Sequence, residues 1–205
     1  MLAEFDSISI INLAKRADEM IKAAGREITA DIKKGRTNVL DHFLDIHKEF
    51  IASHIDANST LVPMPRSAPL IKDGVWPSMS ICLKLIQKGF GKDIVKMIDR
   101  ISSVQTAHLQ SGSDSRASIK QHFDSIQYND SSGMLTPDKI VLVDDVITQG
   151  RNSVACYQKL RTQFPNVPII VFTPVRTMSF DQINILSCPI QGKVKYFESG
   201  KSIVI

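Results

Sequence analysis

The chain has 205 residues, of which 43% are hydrophobic, 22% charged and 6% aromatic, with 10 glycines and 9 prolines. That composition belongs to an ordinary folded domain and excludes collagen-like and low-complexity chains. The net charge of +4 is mildly basic, but Lys and Arg are spread along the chain, so direct nucleic-acid binding is not supported.

Further exclusions follow. No apolar run approaches the roughly 18 to 20 residues of a membrane span. Glu4 and Asp6 stand where a signal peptide carries positive charge. Cys82, Cys156 and Cys188 are odd in number and lack CxxC spacing, which argues against a disulfide framework and a structural zinc site. The expectation is a single compact, cytoplasmic unit without membrane contact.

In chain order, the first 57 residues read as two helices. Ile10, Leu13, Ala14, Ala17, Met20, Ile21, Ala24 and Ile28 recur at helical spacing, and Gly35 suits a left-handed stop. The basic cluster Lys33, Lys34 and Arg36 then lies at a helix end, where it complements the dipole. A second stripe runs from Val39 to Ile55, and both helices need a larger partner to cover them. Thr60 to Pro63 is a short strand candidate that opens into the loop PMPRSAPLIKDGVWP. Trp76 before Pro77 marks a helix start and reads as a core anchor sooner than a base-stacking ring. A helix over 78–88 stops at Gly89, and a strand is expected over 94–98. Residues 102–118 are polar and aperiodic, the pattern of a long mobile loop with a functional role.

The strongest element is KIVLVDD, residues 139–145. Its continuous apolar run predicts a buried central parallel strand that delivers Asp144 and Asp145 at its carboxyl end. The turn Thr148-Gln149-Gly150 leads into a helix from about Arg151, and Ile169 to Phe172 follow as the next strand, completing a βαβ unit. Ligands of open α/β sheets bind off carboxyl ends of strands, and a helix N-terminus there favours a phosphate. Two adjacent carboxylates suit ribose hydroxyls, or a magnesium ion shared with the ligand. A short helix over 180–186 and strands near 194–197 and 203–205 end the pattern. His42, His47 and His54 lie five and seven apart, without metal-ligand spacing, and His122 reads as structural.

The segment VLVDDVITQG resembles the phosphoribosyl-pyrophosphate (PRPP) binding motif of the type I phosphoribosyltransferases, including the orotate, amido and competence-protein ComF groups. All of it fits except Gln149, which stands where Thr is usual. LVPMPR, residues 61–66, is similar to the first-strand region of ComF-like proteins, although the cysteine-rich zinc ribbon of that group is missing here. The resemblance spans roughly residues 60–175. It implies a Rossmann-like α/β fold, mostly parallel and flanked by helices, with an N-terminal helical pair. The implied divisions are a helical extension (1–57), a PRPP-binding core (58–177) and a C-terminal hood or tail (178–205).

The resemblance also implies a reaction, the transfer of phosphoribosyl from PRPP with Mg2+ to a nitrogen acceptor with release of pyrophosphate. Asp144, Asp145 and Arg116 would be its catalytic residues. Thr148, Gln149, Gly150, Arg151, Asn152 and Ser153 would grip the 5-phosphate. Pro65, Arg66, Ser67, Arg100 and His108 would bind pyrophosphate. Thr148 replaces the aspartate of the hypoxanthine–guanine enzymes, which argues against that chemistry because threonine is no base near neutral pH. The alternative is a PRPP- or nucleotide-sensing module that acts through a protein partner in DNA uptake, repair or defence. A homodimer is expected, with the second helix's apolar stripe at its interface.

Overall fold

The computed structural model describes residues 3–14, 17–104, 117–129, 136–178 and 185–205. Its elements are β1 (Ala3–Ala14), α1 (Glu19–Lys33), a 3-10 turn (Thr37–Leu40), α2 (Asp41–Ile46), α3 (Lys48–Ala52), β2 (Ser59–Pro63), α4 (Pro77–Gln87), β3 (Asp93–Ile94) and β4 (Ile98–Arg100). There follow α5 (Ile119–Asp124), β5 (Ile126–Tyr128), β6 (Lys139–Val143), β7 (Val146–Ile147), α6 (Arg151–Gln163), β8 (Ile169–Phe172), β9 (Val175–Met178), β10 (Ser187–Tyr196) and β11 (Ser202–Val204).

Among the described residues, nine strands form one sheet in the order β11-β10-β1-β8-β6-β2-β3, with β9 extending along β1 and β7 along β9. Every pairing from β1 to β3 is parallel, whereas β10 and β11 are antiparallel. The molecule is therefore an α/β protein with a mostly parallel mixed sheet flanked by helices, compatible with a Rossmann-like fold. The strand β4 pairs with β5 outside this sheet.

Both faces of the sheet are covered, as a parallel sheet requires. The alternation along β6 divides the core. Val141 and Val143 join α1 to α4 on one side, through Ile32, Leu44, Ile51 and Ile81. Ile140 and Leu142 pack on the other side with Val154, Cys156 and Leu160 of α6. The pairs Lys84–Asp41 (3.1 Å) and Lys88–Asp45 (2.9 Å) tie α4 to α2.

Several expectations hold. The strands β2, β6 and β8 and the helices α4 and α6 lie where the apolar pattern places them, and Gly35 and Gly89 take the left-handed conformation at φ +76° and +84°. The N-terminal helical pair needs correction, because residues 3–14 are a strand inside the sheet and the first helix begins only at Glu19. A strand covered on both faces buries Ile8, Ile10 and Ile11 together, and a register shift between Ser9 and Ile11 breaks the alternation further. The remaining apolar spacing imitates a helix, while three β-branched residues in four favour the extended chain.

The second stripe is broken at His47, which separates α2 from α3. Its apolar residues Leu40, Leu44, Ile51 and Ile55 are buried in the chain's own core. They are thus not available for the dimer interface expected of them. The strand expected over 94–98 is two short strands in different sheets. The predicted helix over 180–186 lies mostly outside the described residues. Among those residues, no helix is long and apolar enough to cross a membrane.

Candidate functional site

The order in which the chain adds strands reverses between the parallel neighbours β2 and β6. From β2 the chain passes through α4 to β3 on one side, and from β6 through α6 to β8 on the other. The carboxyl ends of β2 and β6 lie side by side, with Pro63 opposite Val143, and the backbone N–H of Met64 donates to the Val143 carbonyl at 2.8 Å. A crevice at such a reversal is the usual ligand position in open α/β sheets.

A cavity of about 450 Å³ occupies this position. Pro65, Arg66 and Ser67 enter it after β2, and Asp144 and Asp145 after β6. Pro77 and Ser78 from the first turn of α4 and Asn152 from that of α6 also line it. Two helix N-termini therefore converge there, and their unpaired backbone N–H groups favour an anion. Four lining residues lie outside the expected set: Pro77, Ser78, Lys33 and Val75. Lys33 arrives from the last turn of α1, and Val75 from the loop before α4. The sequence signal for Lys33 was the basic cluster at a helix end, but its position over the crevice depends on how α1 packs.

Arg66 and Lys33 are exposed and have no ion-pair or hydrogen-bond partner for their side chains among the described residues. The acidic pair faces them. The Asp144 Oδ1 accepts from Ser78 Oγ at 3.3 Å and from the Asp145 backbone N–H at 3.0 Å. Burial, with Asp145 beside it, pushes the Asp144 carboxyl up to about 8. A carboxyl in that condition gains from a neighbouring cation or from hydroxyl donors that bond its charged form. Among the described residues, no group of three or more His, Cys, Asp or Glu could hold a metal. The two hard carboxylates suit a magnesium ion that takes its other oxygens from a ligand and water.

The turn before α6 is built by the C-terminal strands. Gly150 has φ +70°, and a Cβ there would lie 2.8 Å from Val194 Cγ1 of β10. Glycine is thus required by packing as well as by backbone conformation. Ser202 Oγ donates to the Gln149 carbonyl at 2.7 Å, and the Thr148 and Thr177 hydroxyls are 3.2 Å apart. Thr148 is exposed and Ser153 buried. Arg151 Nη1 donates to the Ala117 carbonyl at 3.3 Å, so its side chain reaches toward the segment before α5.

Arg100 takes a position different from that of a ligand cation. It is 7% exposed, and its guanidinium donates to the Arg66 carbonyl (2.7 Å), Asn152 Oδ1 (3.0 Å), the His122 carbonyl (3.3 Å) and Ser125 Oγ. Burial lowers its affinity for the proton. Asn152 completes the brace, because its Nδ2 donates to the Pro65 carbonyl at 3.4 Å. Arg100 therefore binds the loop after β2 to the start of α6 and sits behind the cavity. His122 stands beside it, pushed down to about 4 by burial and by the charges of Arg100 and Arg151.

The structure thus gathers Pro65, Arg66, Ser67, Asp144, Asp145 and Asn152 around one cavity. Thr148 to Arg151 and Ser153 border it without lining it, and Arg100 braces its wall. Arg116 and His108 lie outside the described residues. Trp76 is half-buried at the start of α4, and its Nε1 donates to the Met64 carbonyl at 2.8 Å. The fold and crevice define an α/β protein with a polar cavity, lined by both acidic and basic side chains, where the strand order reverses. A scan against protein-family models finds no match for this chain, and a search of curated proteins finds none either.

Proposed function

We propose that this chain is a phosphoribosyltransferase of the type I kind, which binds PRPP with Mg2+ and transfers phosphoribosyl to a nitrogen acceptor. The observation that carries the reading is the 450 Å³ cavity at the β2–β6 reversal. There an acidic pair from the VLVDDVITQG strand end lines the same cavity as the Pro65–Ser67 loop, with Arg66 and Lys33, whose side chains have no partner among the described residues. Its volume falls in the range of sites for small ligands.

In this reading Asp144 and Asp145 accept hydrogen bonds from the ribose hydroxyls. The turn from Thr148 to Ser153 holds the 5-phosphate at the N-terminus of α6. Arg66, Ser67 and the backbone after Pro65 receive the pyrophosphate. The bond between the anomeric carbon and the pyrophosphate oxygen breaks, and its electron pair leaves with pyrophosphate. The acceptor nitrogen supplies the pair for the new C–N bond and gives up its proton to solvent. Magnesium bound with the ligand would neutralise charge on the leaving group. Charge stabilisation of this kind is usually the largest catalytic contribution.

A second reading, a PRPP-sensing module that acts through a protein partner, draws on Thr148. Its hydroxyl pairs with Thr177 and cannot act as a general base near neutral pH. Calorimetric titration with PRPP and Mg2+, together with a pyrophosphate-release assay over a panel of bases, separates the two. Saturable binding with release on at least one base is expected. Binding without release on any base favours the sensor, and no binding overturns both.

A further inference from the structure

A second cavity, of about 230 Å³, lies against the loop that follows β2 and shares Pro65 and Arg66 with the first. We infer that this cavity is a binding site for a small planar anion, an aromatic or heteroaromatic carboxylate. The inference stands whether or not the neighbouring cavity takes PRPP.

Charge is the first argument. Among the described residues, Arg66, Lys96 and Arg100 line the cavity against one acid, Asp99. The Asp99 carboxylate already accepts a hydrogen bond from Asn129 Nδ2 at 2.7 Å. The Arg66 and Lys96 side chains make no ion pair or hydrogen bond among the described residues. Lys96 Nζ instead stands 5.6 Å from the centroid of the Trp76 ring. A cation–π contact satisfies an ammonium only partly, and a carboxylate beside it would be the stronger partner. Arg100 is held rigid by its bonds to Arg66, His122, Ser125 and Asn152, so the back wall is fixed before any ligand arrives and the free charges are those of Arg66 and Lys96.

Shape and polarity are the second. The rest of the lining is apolar: Pro65, Ala68, Pro69, Leu70, Ile98 and the indole of Trp76. The indole is fixed by its bond to the Met64 carbonyl and by its place at the start of α4. A pocket of about 150 Å³ already holds benzene, so about 230 Å³ admits a six-membered ring with a carboxylate. A whole nucleotide is too large for it. An inorganic phosphate would leave the apolar wall uncovered.

The test uses the single tryptophan of the chain, which lines this cavity. Titration of the intact protein with benzoate should give a saturable change in Trp76 fluorescence. Benzamide, of the same shape without the charge, should bind at least about tenfold more weakly, the usual size of one lost charged contact. Lys96→Gln, at an exposed position, should weaken benzoate by a similar factor, and Ala68→Leu should reduce binding by filling the space. Asp144→Asn should leave the benzoate titration unchanged, which assigns the signal to this cavity and not to its neighbour. Absence of a saturable change, equal affinity for benzamide, or loss of the signal in Asp144→Asn would each overturn the proposal.

Discussion

Arg66 and Arg100 are joined by a hydrogen bond, from the guanidinium of Arg100 to the backbone carbonyl of Arg66, yet their side chains do opposite work. Arg100 is buried, and its donors are spent on carbonyls and side chains of three separate segments. Arg66 is exposed at the lip of two cavities with its guanidinium uncommitted. The back of the site is a brace that resists change. The front is a charged surface whose Arg66 guanidinium has no partner among the described residues. A cation contributes to binding only when the fold has not already neutralised its donors, so residue type alone does not distinguish the two.

The largest expected effect falls on the back. Arg100→Met removes the Arg100 bond from four buried or half-buried acceptors, of which the His122 carbonyl keeps a donor, Ser125 Oγ, a loss of about 3–4 kcal/mol at the penalties usual for unsatisfied groups. For a chain of this size that is a fall of roughly 10 °C in melting temperature. A shift of only a degree or two by scanning calorimetry would remove the distinction between brace and lip.

Gly150→Val tests the turn that aims α6 at the cavity. Its Cβ would lie 2.8 Å from Val194 Cγ1, at a φ of +70°. The combined strain and overpacking should cost about 2–3 kcal/mol, read as a lower urea midpoint. An unchanged midpoint would mean that β10 yields easily and does not fix the turn.

The two regions also titrate in opposite senses. Asp144, at the front, is raised from 3.8 to about 8. It therefore supports the folded state fully below pH 4, and that support is lost as pH rises through about 8. His122, at the back, is lowered from 6.5 to about 4. Its contribution is present above pH 6.5 and is lost as pH falls through about 4. The two oppose each other between pH 4 and 6.5, and Asp144 acts alone from 6.5 to 8. One proton gives a slope of at most about 1.4 kcal/mol per pH unit. Asp144→Asn should flatten the decline above pH 6.5, whereas His122→Asn should steepen the fall with pH between 4 and 6.5. Urea midpoints across that range check both. The same Asp144→Asn change should weaken PRPP binding, so gained stability and lost affinity would appear in one variant.

The smallest effect on stability belongs to the lip. Arg66→Gln should change the melting temperature by less than about 2 °C, since an exposed and unpaired side chain contributes within about 0.5 kcal/mol. Its affinity for pyrophosphate with Mg2+ should nevertheless drop about tenfold. Undiminished affinity would place the anion elsewhere in the crevice.

Much of the site's scaffold was legible in the chain. The run from Ile140 to Val143 is apolar at every position because both faces of its strand are covered. The pattern of Asp144, Asp145, Gly150 and the helix that follows carries its own local geometry. Less legible was β1, where Ile8, Ile10 and Ile11 bury on both faces and their spacing resembles a helix. Nothing local marked Ser78, which bonds Asp144 across 66 positions of sequence. Nor did any local pattern separate Arg100 from Arg66.

By itself the sequence determined the parallel β6–α6–β8 unit and the acidic strand end. These depend on a continuous apolar run, a single helical crossover and backbone preferences that each residue carries with it. Tertiary structure alone decided that β1 enters the sheet, that Lys33 reaches the crevice and that Arg100 is buried as a brace. Those outcomes depend on which distant surfaces meet. The chain's mild positive charge acquires its meaning in the same way. Its uncommitted part near the crevice is Lys33, Arg66 and Lys96, which make no ion pair or hydrogen bond among the described residues and line two cavities.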